Sequence, residues 1–264
     1  MLALAVSGLI LITVFTYIYQ LVDRFETGAS SIDPPSPYFD HSNILLVTAH
    51  PDDECMFFGP VLCNLTSKSL KNQVHVLCLS KGDAENLGNQ RKRELVKSCQ
   101  VLGIPSSRVK TVDHPDLPDS MKIEWNASLV SSIIQEYVTK HDIQIIITFD
   151  NYGVSGHTNH QAAYRGALQY VKTSGNGTVS LYKLPSVSLV RKYIGLGDLP
   201  LAIFSSRMVK TSTPKNSLLF LSSPGQYLIT HKAMRQHSSQ LVWFRWLYVI
   251  FSRYMVINEL EKVS

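Results

Sequence analysis

Hydrophobic residues along this chain fall in short continuous runs, separated by stretches with helical spacing. Ile44–Thr48, Val74–Ser80 and Gln144–Phe149 are apolar on both faces, the pattern of strands buried inside a parallel sheet. Between and after them, Met56–Ser67, Arg91–Leu102, Asn126–Lys140 and His160–Val171 carry the spacing of helices. Gly103-Ile104-Pro105 stops the second of these helices, and Gly175-Asn176-Gly177 follows the last. Val109–Val112 reads as a further short strand. The alternation predicts an α/β fold, Rossmann-like, with a mostly parallel sheet flanked by helices. Beyond Val179 the pattern loosens, apart from a helix predicted over Gln226–Gln240.

The two ends read differently. Leu2–Val22 is uncharged and long enough to cross a hydrocarbon core of about 30 Å, and it lacks the flanks of a cleaved signal peptide. It predicts an N-terminal transmembrane helix over residues 1–22, a single-pass anchor, followed by an extended linker over 23–42 that contains Pro34-Pro35-Ser36-Pro37. Residues 43–240 then form one catalytic domain, and 241–264 an aromatic and basic segment. Arg245 and Arg253 break that segment's apolar run, which excludes a second span. Two readings of it stay open: an interfacial helix at head-group depth, or a closing helix packed on the core.

Charge adds little. A net charge of +5 is mild, and Arg91-Lys92-Arg93 is too short for a nucleic-acid stripe, whereas an anionic head group or membrane surface fits. Cys55, Cys63, Cys78 and Cys99 form no CxxC pair and read as reduced thiols, which favours a cytosolic domain. Sequons at Asn64, Asn126 and Asn176 pull the other way, but such matches arise often by chance. Asp23-Arg24-Phe25-Glu26 is balanced in charge and orients nothing.

The chemistry lies at two strand ends. Ala49-His50-Pro51-Asp52-Asp53-Glu54 follows the first strand, and Asp150 to His160 follows another. Open α/β sheets build their sites at the carboxyl ends of strands. His50 and Asp53, three apart, can grip one divalent cation while Asp52 between them stays free to move a proton. Helix capping by Asp52 or Asp53 explains the first cluster alone, but not the pair of clusters.

Together with Arg91-Lys92-Arg93-Glu94-Leu95 and Gly156-His157-Thr158-Asn159-His160, these residues resemble the LmbE-like zinc deacetylase family. Thr148-Phe149-Asp150, Gly153-Val154-Ser155-Gly156-His157, Trp243-Phe244-Arg245 and Ile250-Phe251-Ser252-Arg253-Tyr254 are most like its eukaryotic branch. That branch acts on N-acetylglucosaminyl-phosphatidylinositol, early in GPI-anchor biosynthesis at the endoplasmic reticulum membrane. The resemblance spans Ile44 to Asn258. It implies zinc, or another first-row ion, held by His50, Asp53 and His160. It also implies Asp52 as general base, His157 polarising the amide carbonyl, Arg91 on the inositol portion, and a membrane glycolipid as substrate. Asn159 stands where many bacterial members have an aspartate, and Ser155 where some have a tyrosine.

Other residues are open to two readings. Lys81 and Asp83 suit either sugar hydroxyls or a charged loop, and His231 and His237 suit packing or support of the site. His41, His75, His114 and His141 have no partner by spacing. Two functional alternatives also remain: a deacetylase of another N-acetyl sugar conjugate, and a non-catalytic, membrane-tethered sugar-binding protein.

Overall fold

The computed structural model of the chain describes residues 39–175, 177–202 and 217–263. The anchor expected over 1–22, nearly all of the linker and Asn176 lie outside the described residues. Among those described, no helix is long and apolar enough to cross a membrane.

A seven-stranded sheet organises the fold, in the order β3-β2-β1-β4-β5-β7-β6. The first five strands, β1 (Asn43–Thr48), β2 (Gln73–Cys78), β3 (Val109–Thr111), β4 (Ile145–Phe149) and β5 (Ser180–Leu184), are parallel. β6 (Ser217–Leu221) and β7 (Ile257–Lys262) extend the sheet, with β7 antiparallel to both β5 and β6. β1 and β4 lie side by side at the centre, Leu45 against Ile146, and every residue of β4 is buried. Burial on both faces is why these segments read as unbroken apolar runs.

Among the described residues, the longer helices around the sheet are α1 (Asp53–Leu65), α2 (Gly88–Val101), α3 (Ala127–His141), α4 (Thr158–Thr173), α5 (Leu189–Tyr193), α6 (Pro224–Met234) and α7 (Trp243–Phe251). From β1 the chain steps outward through β2 to β3, then returns to β4 on the other side of β1. Right-handed crossovers in opposite directions place their helices on opposite faces. Accordingly α1 packs with α6, and α6 with α2, while α3 packs on α4. The reversal between β1 and β4 opens a crevice at their carboxyl ends, where the loop carrying His50 and the first turn of α4 carrying His160 emerge.

Three details differ from the sequence expectation. α1 begins at Asp53, three residues before the expected Met56, because the acidic residues themselves form its first turn, where a helix dipole favours them. The late helix ends at Met234 instead of Gln240, and His237 beyond it turns into the core. β5, β6 and β7 lie in the stretch where periodicity fades; β7 reads Ile-Asn-Glu-Leu-Glu-Lys, with its charges toward solvent.

The two readings of the C-terminal segment both describe part of α7. Tyr248 and Val249 are buried against the core, whereas Trp243, Phe244, Leu247, Ile250 and Phe251 are exposed. The four cysteines are free thiols.

Pro60 inside α1 removes one backbone donor, and residues far along the chain repair the ladder. The Tyr248 hydroxyl donates to Met56 O (3.1 Å). The Asn258 side chain accepts from Val61 N (3.1 Å) and donates to Phe57 O (2.8 Å), bridging the pair its amide separates. On the other face, Gly166 of α4 lies so close to α3 that an added Cβ would sit 2.2 Å from Val130 Cγ1. Gly166→Ala is therefore expected to destabilise the fold by about 1–3 kcal/mol, read as a lower denaturation midpoint with unchanged slope.

Candidate metal centre and active site

Asp53 is the pivot of the site. It opens α1 beneath the end of β1, and its Oδ2 accepts from the backbone amides of Ala49 (3.0 Å) and His50 (2.8 Å). Its Oδ1 lies 3.3 Å from His160 Nε2, and Oδ2 lies 3.8 Å from His50 Nδ1. Burial pushes this carboxyl's pKa up, but His160 and His50 outweigh burial and hold it far below the usual carboxylate range.

The two imidazoles have their other nitrogens committed. His160 Nδ1 lies 3.0 Å from Gly153 O, an acceptor, so Nδ1 carries the proton and Nε2 turns a lone pair toward Asp53. His50 Nε2 lies 3.0 Å from Asn159 Oδ1 and 3.2 Å from Asp119 Oδ1, so Nε2 donates and Nδ1 is left to accept. Lone pairs and a carboxylate facing one another need a positive centre between them. Burial alone would lower His50's pKa, yet Asp119 and Asp53 raise it, and the field that attracts a proton attracts a cation equally. This donor set, two neutral imidazoles with fixed tautomers and one carboxylate, suits a divalent ion such as zinc.

His157 stands beside them. Its ring lies 4.6 Å from that of His50 and is stacked 4.8 Å from that of His160, so one ligand nitrogen from each of the three falls within a 4.8 Å cluster. The amide of Asn159 donates to His157 Nδ1 (3.2 Å), which leaves the proton on Nε2. Burial first, then the charge that His50 and His160 carry whenever they are protonated, push its pKa down to about 4, so the ring is neutral at physiological pH. A neutral ring with a protonated Nε2 is a hydrogen-bond donor, suited to a developing oxyanion. Asn159 thus orients His157 through its backbone and reaches His50 through its side chain.

Asp52 caps α1 in an uncommon conformation, with φ 119°. Its Oδ2 is buried with no hydrogen-bond partner, 3.7 Å from Arg91 Nη2 and 3.5 Å from Arg245 Nη2. Burial raises its pKa, Arg245 opposes that rise, and Asp53 adds to it. A strained residue holding an orphan carboxylate oxygen is better explained by chemistry than by capping. His50, Asp52, Asp53, Asp119, His157 and His160 all line one cavity of about 340 Å³.

Arg91 lines the cavity too, but its guanidinium is largely spent on the scaffold. It donates to Gly82 O (2.9 Å), Pro51 O (2.8 Å) and Asp119 (3.3 Å), pinning the loops after β1 and β2 together. Lys81 pairs with Asp83 and Asp113, as a charged loop would. His231 packs on Tyr227, ring centroids 4.2 Å apart. His237 is fully buried and meets Glu54 at 2.7 Å, with Ser98 donating to the same carboxylate. His75 lies beside Tyr137 and His141, away from the crevice.

Two contributors escape a sequence reading. Asp119, in the loop after β3, joins His50 to Arg91; its one signal is an acid beyond the end of a parallel strand. Arg245 comes from α7 and reaches Asp52 across a separation of 193 positions, a contact no local pattern reveals.

Comparison with known proteins agrees with this geometry. Residues 45–171 match the family model described as GlcNAc-PI de-N-acetylase. The chain is similar to N-acetylglucosaminyl-phosphatidylinositol de-N-acetylase of Bos taurus, 41% identical over 222 residues and covering 83% of each chain. It is also similar to the probable enzyme of that name from Schizosaccharomyces pombe, 37% identical, covering 84% of this chain and 87% of that one. In fold it matches N,N'-diacetylchitobiose deacetylase from Pyrococcus horikoshii, with a TM-score of 0.59 at 13% identity, covering 92% of both chains.

Because Asp119 fixes the His50 tautomer, Asp119→Ala is expected to weaken divalent-ion binding roughly 10–100-fold. Competition against a chelating indicator reads that loss directly, with the fold checked by circular dichroism.

Proposed function

We propose that this chain, which belongs to the GlcNAc-PI de-N-acetylase family, hydrolyses the acetamide of N-acetylglucosaminyl-phosphatidylinositol to the glucosaminyl lipid and acetate. The observation that carries the mechanism is the orphan oxygen of Asp52 beside a fixed trio of ligands. In this reading His50, Asp53 and His160 hold the ion, zinc or a related first-row metal. When bound, it supplies Lewis acidity and lowers the pKa of a water to about 7.

The chain's own residues do the rest. Asp52 takes a proton from the attacking water and returns it to the departing amine, as its free oxygen allows. His157 donates from Nε2 to the carbonyl oxygen as negative charge gathers there. Arg91 holds the Asp52 loop in place and is assigned to the inositol ring along the cavity wall. A sugar-binding protein without catalysis has no use for an unliganded, strained carboxylate, which favours the enzyme over that rival. The uncharged Leu2–Val22 segment and the relatives' pathway support a site of action at the endoplasmic reticulum membrane, with the domain on its cytosolic side.

The test is acetate release from the purified glycolipid by wild type, Asp52→Asn and His157→Gln, with bound metal quantified in each. Asp52→Asn is expected to lose on the order of 10²–10⁴ in kcat while retaining its metal. His157→Gln is expected to lose about 10²–10³ in kcat. Chelation should abolish activity and a divalent metal restore it. Equal turnover by wild type and Asp52→Asn would remove Asp52 from the mechanism, and a wild type loaded with metal yet inert toward this lipid would refute the substrate.

A further inference from the structure

Beside the metal crevice lies a second cavity, of about 560 Å³. The two share Met56, Phe57, Ser155 and Arg245 in their walls, so a ligand can lie across both. We propose that Lys192, on the wall of this second cavity, recognises the phosphodiester of the glycolipid, while the apolar mouth takes the start of its hydrocarbon chains. The proposal rests on the deacetylase reading of the neighbouring site and adds to it the residue that senses the lipid phosphate.

Lys192 is 7% exposed, and its ammonium lies 5.5 Å from the ring of Tyr193 and 5.9 Å from that of Tyr248. Among the described residues no carboxylate pairs with it. The other cations nearby are spoken for. Arg191 and Arg253 converge on buried Asp198, at 2.7 Å each, and Arg245 faces Asp52. Burying an ammonium without a counter-charge is unfavourable, and burial holds the pKa of Lys192 below that of an ordinary lysine. An anion entering the cavity removes that penalty. The fold therefore keeps a site for negative charge where none of the described side chains supplies it.

The walls decide which anion. Tyr193, Phe244, Leu247, Tyr248 and Phe251 surround the lysine with ring and alkyl surface. Outside, Trp243 is 76% exposed and Leu189 and Val190 more than 70%, so the approach is apolar as well. A free inorganic phosphate gains nothing from such walls. A phosphodiester carrying acyl chains matches both parts, with the phosphate taken as a point charge by lysine and hydrocarbon set against the rings. Contact with the phosphate places the sugar toward the shared wall and the metal crevice.

The experiment uses the full-length protein, wild type beside Lys192→Met and Lys192→Arg. Each is assayed on N-acetylglucosaminyl-phosphatidylinositol in detergent micelles and on phosphate-free N-acetylglucosaminyl-inositol. Lys192→Met is expected to lose roughly tenfold to a hundredfold in kcat/KM on the lipid, chiefly through KM, the scale of one charged hydrogen bond. Its kcat/KM on the phosphate-free substrate should be unchanged, which also shows that the variant folds, and Lys192→Arg should recover most of the loss. Equal losses on both substrates, or none on the lipid, overturn the proposal while leaving the deacetylase assignment standing.

Direct binding of short-chain phosphatidylinositol provides a readout independent of turnover. Tighter binding by wild type than by Lys192→Met supports the site, and equal binding overturns it. Inorganic phosphate that displaces the lipid at matched concentration would make this a simple anion site and overturn the assignment to a phosphodiester. Wild type inert on both substrates would refute the deacetylase reading alone, and the binding result would still decide the role of Lys192.

Discussion

The carboxylate of Asp53 carries two obligations at once, and the rest of the molecule is arranged around them. One oxygen closes the turn between β1 and α1 by accepting two backbone amides, and the other faces His160 in the first turn of α4. A buried carboxylate is costly unless its lone pairs are filled, so the β1 and β4 ends must stand at one fixed separation. The sheet supplies that separation through adjacent, directly paired strands, and the reversal of strand order clears helices from above it. Around this point Asp52, Asp53, Glu54 and Asp119 all sit in or near the core, matched by Arg91, Arg245 and the imidazoles of His50, His160 and His237. Such a concentration of charge is weak evidence for stability and strong evidence for work done at the site.

How much of this was legible depended on whether information was local. β1, β2 and β4 announce themselves because burial on both faces leaves no polar position to interrupt the run. The two clusters of acid and imidazole sit directly after two of those strands, so position and chemistry could be read together. β5 to β7 could not be read this way. Ser180–Leu184 has a half-buried Lys183, and Ile257–Lys262 alternates in a way that a surface loop also would. Arg91 illustrates a subtler gap: its place beside the site followed from resemblance, but its bonds to two backbone carbonyls depend on loops that only the folded sheet brings together. Asp119 and Arg245 were invisible for the same reason, since their partners lie far away in the chain.

The helix pair α5 and α7 gives the molecule an asymmetric surface. One end of the crevice is charged and tightly hydrogen-bonded, and the adjoining end is lined by rings and alkyl groups that face outward. Exposed aromatics on this scale are costly in water and are kept where another phase or ligand meets them. Polar chemistry and apolar contact are therefore neighbours, sharing Met56 and Phe57 as a common wall.

The repair of α1 at Pro60 bears on the order in which the chain can mature. Its first turn bears Asp53, yet the amide that mends its ladder belongs to Asn258, 205 positions further along the chain. The helix presenting half of the crevice thus stays unspliced until the segment carrying Asn258 has been made and has packed against it. A polypeptide interrupted before Asn258 would keep His50, Asp53 and His160 and still lack the scaffold that aims them. Docking of this segment couples the setting of the crevice to the folding of a stretch far away in the chain.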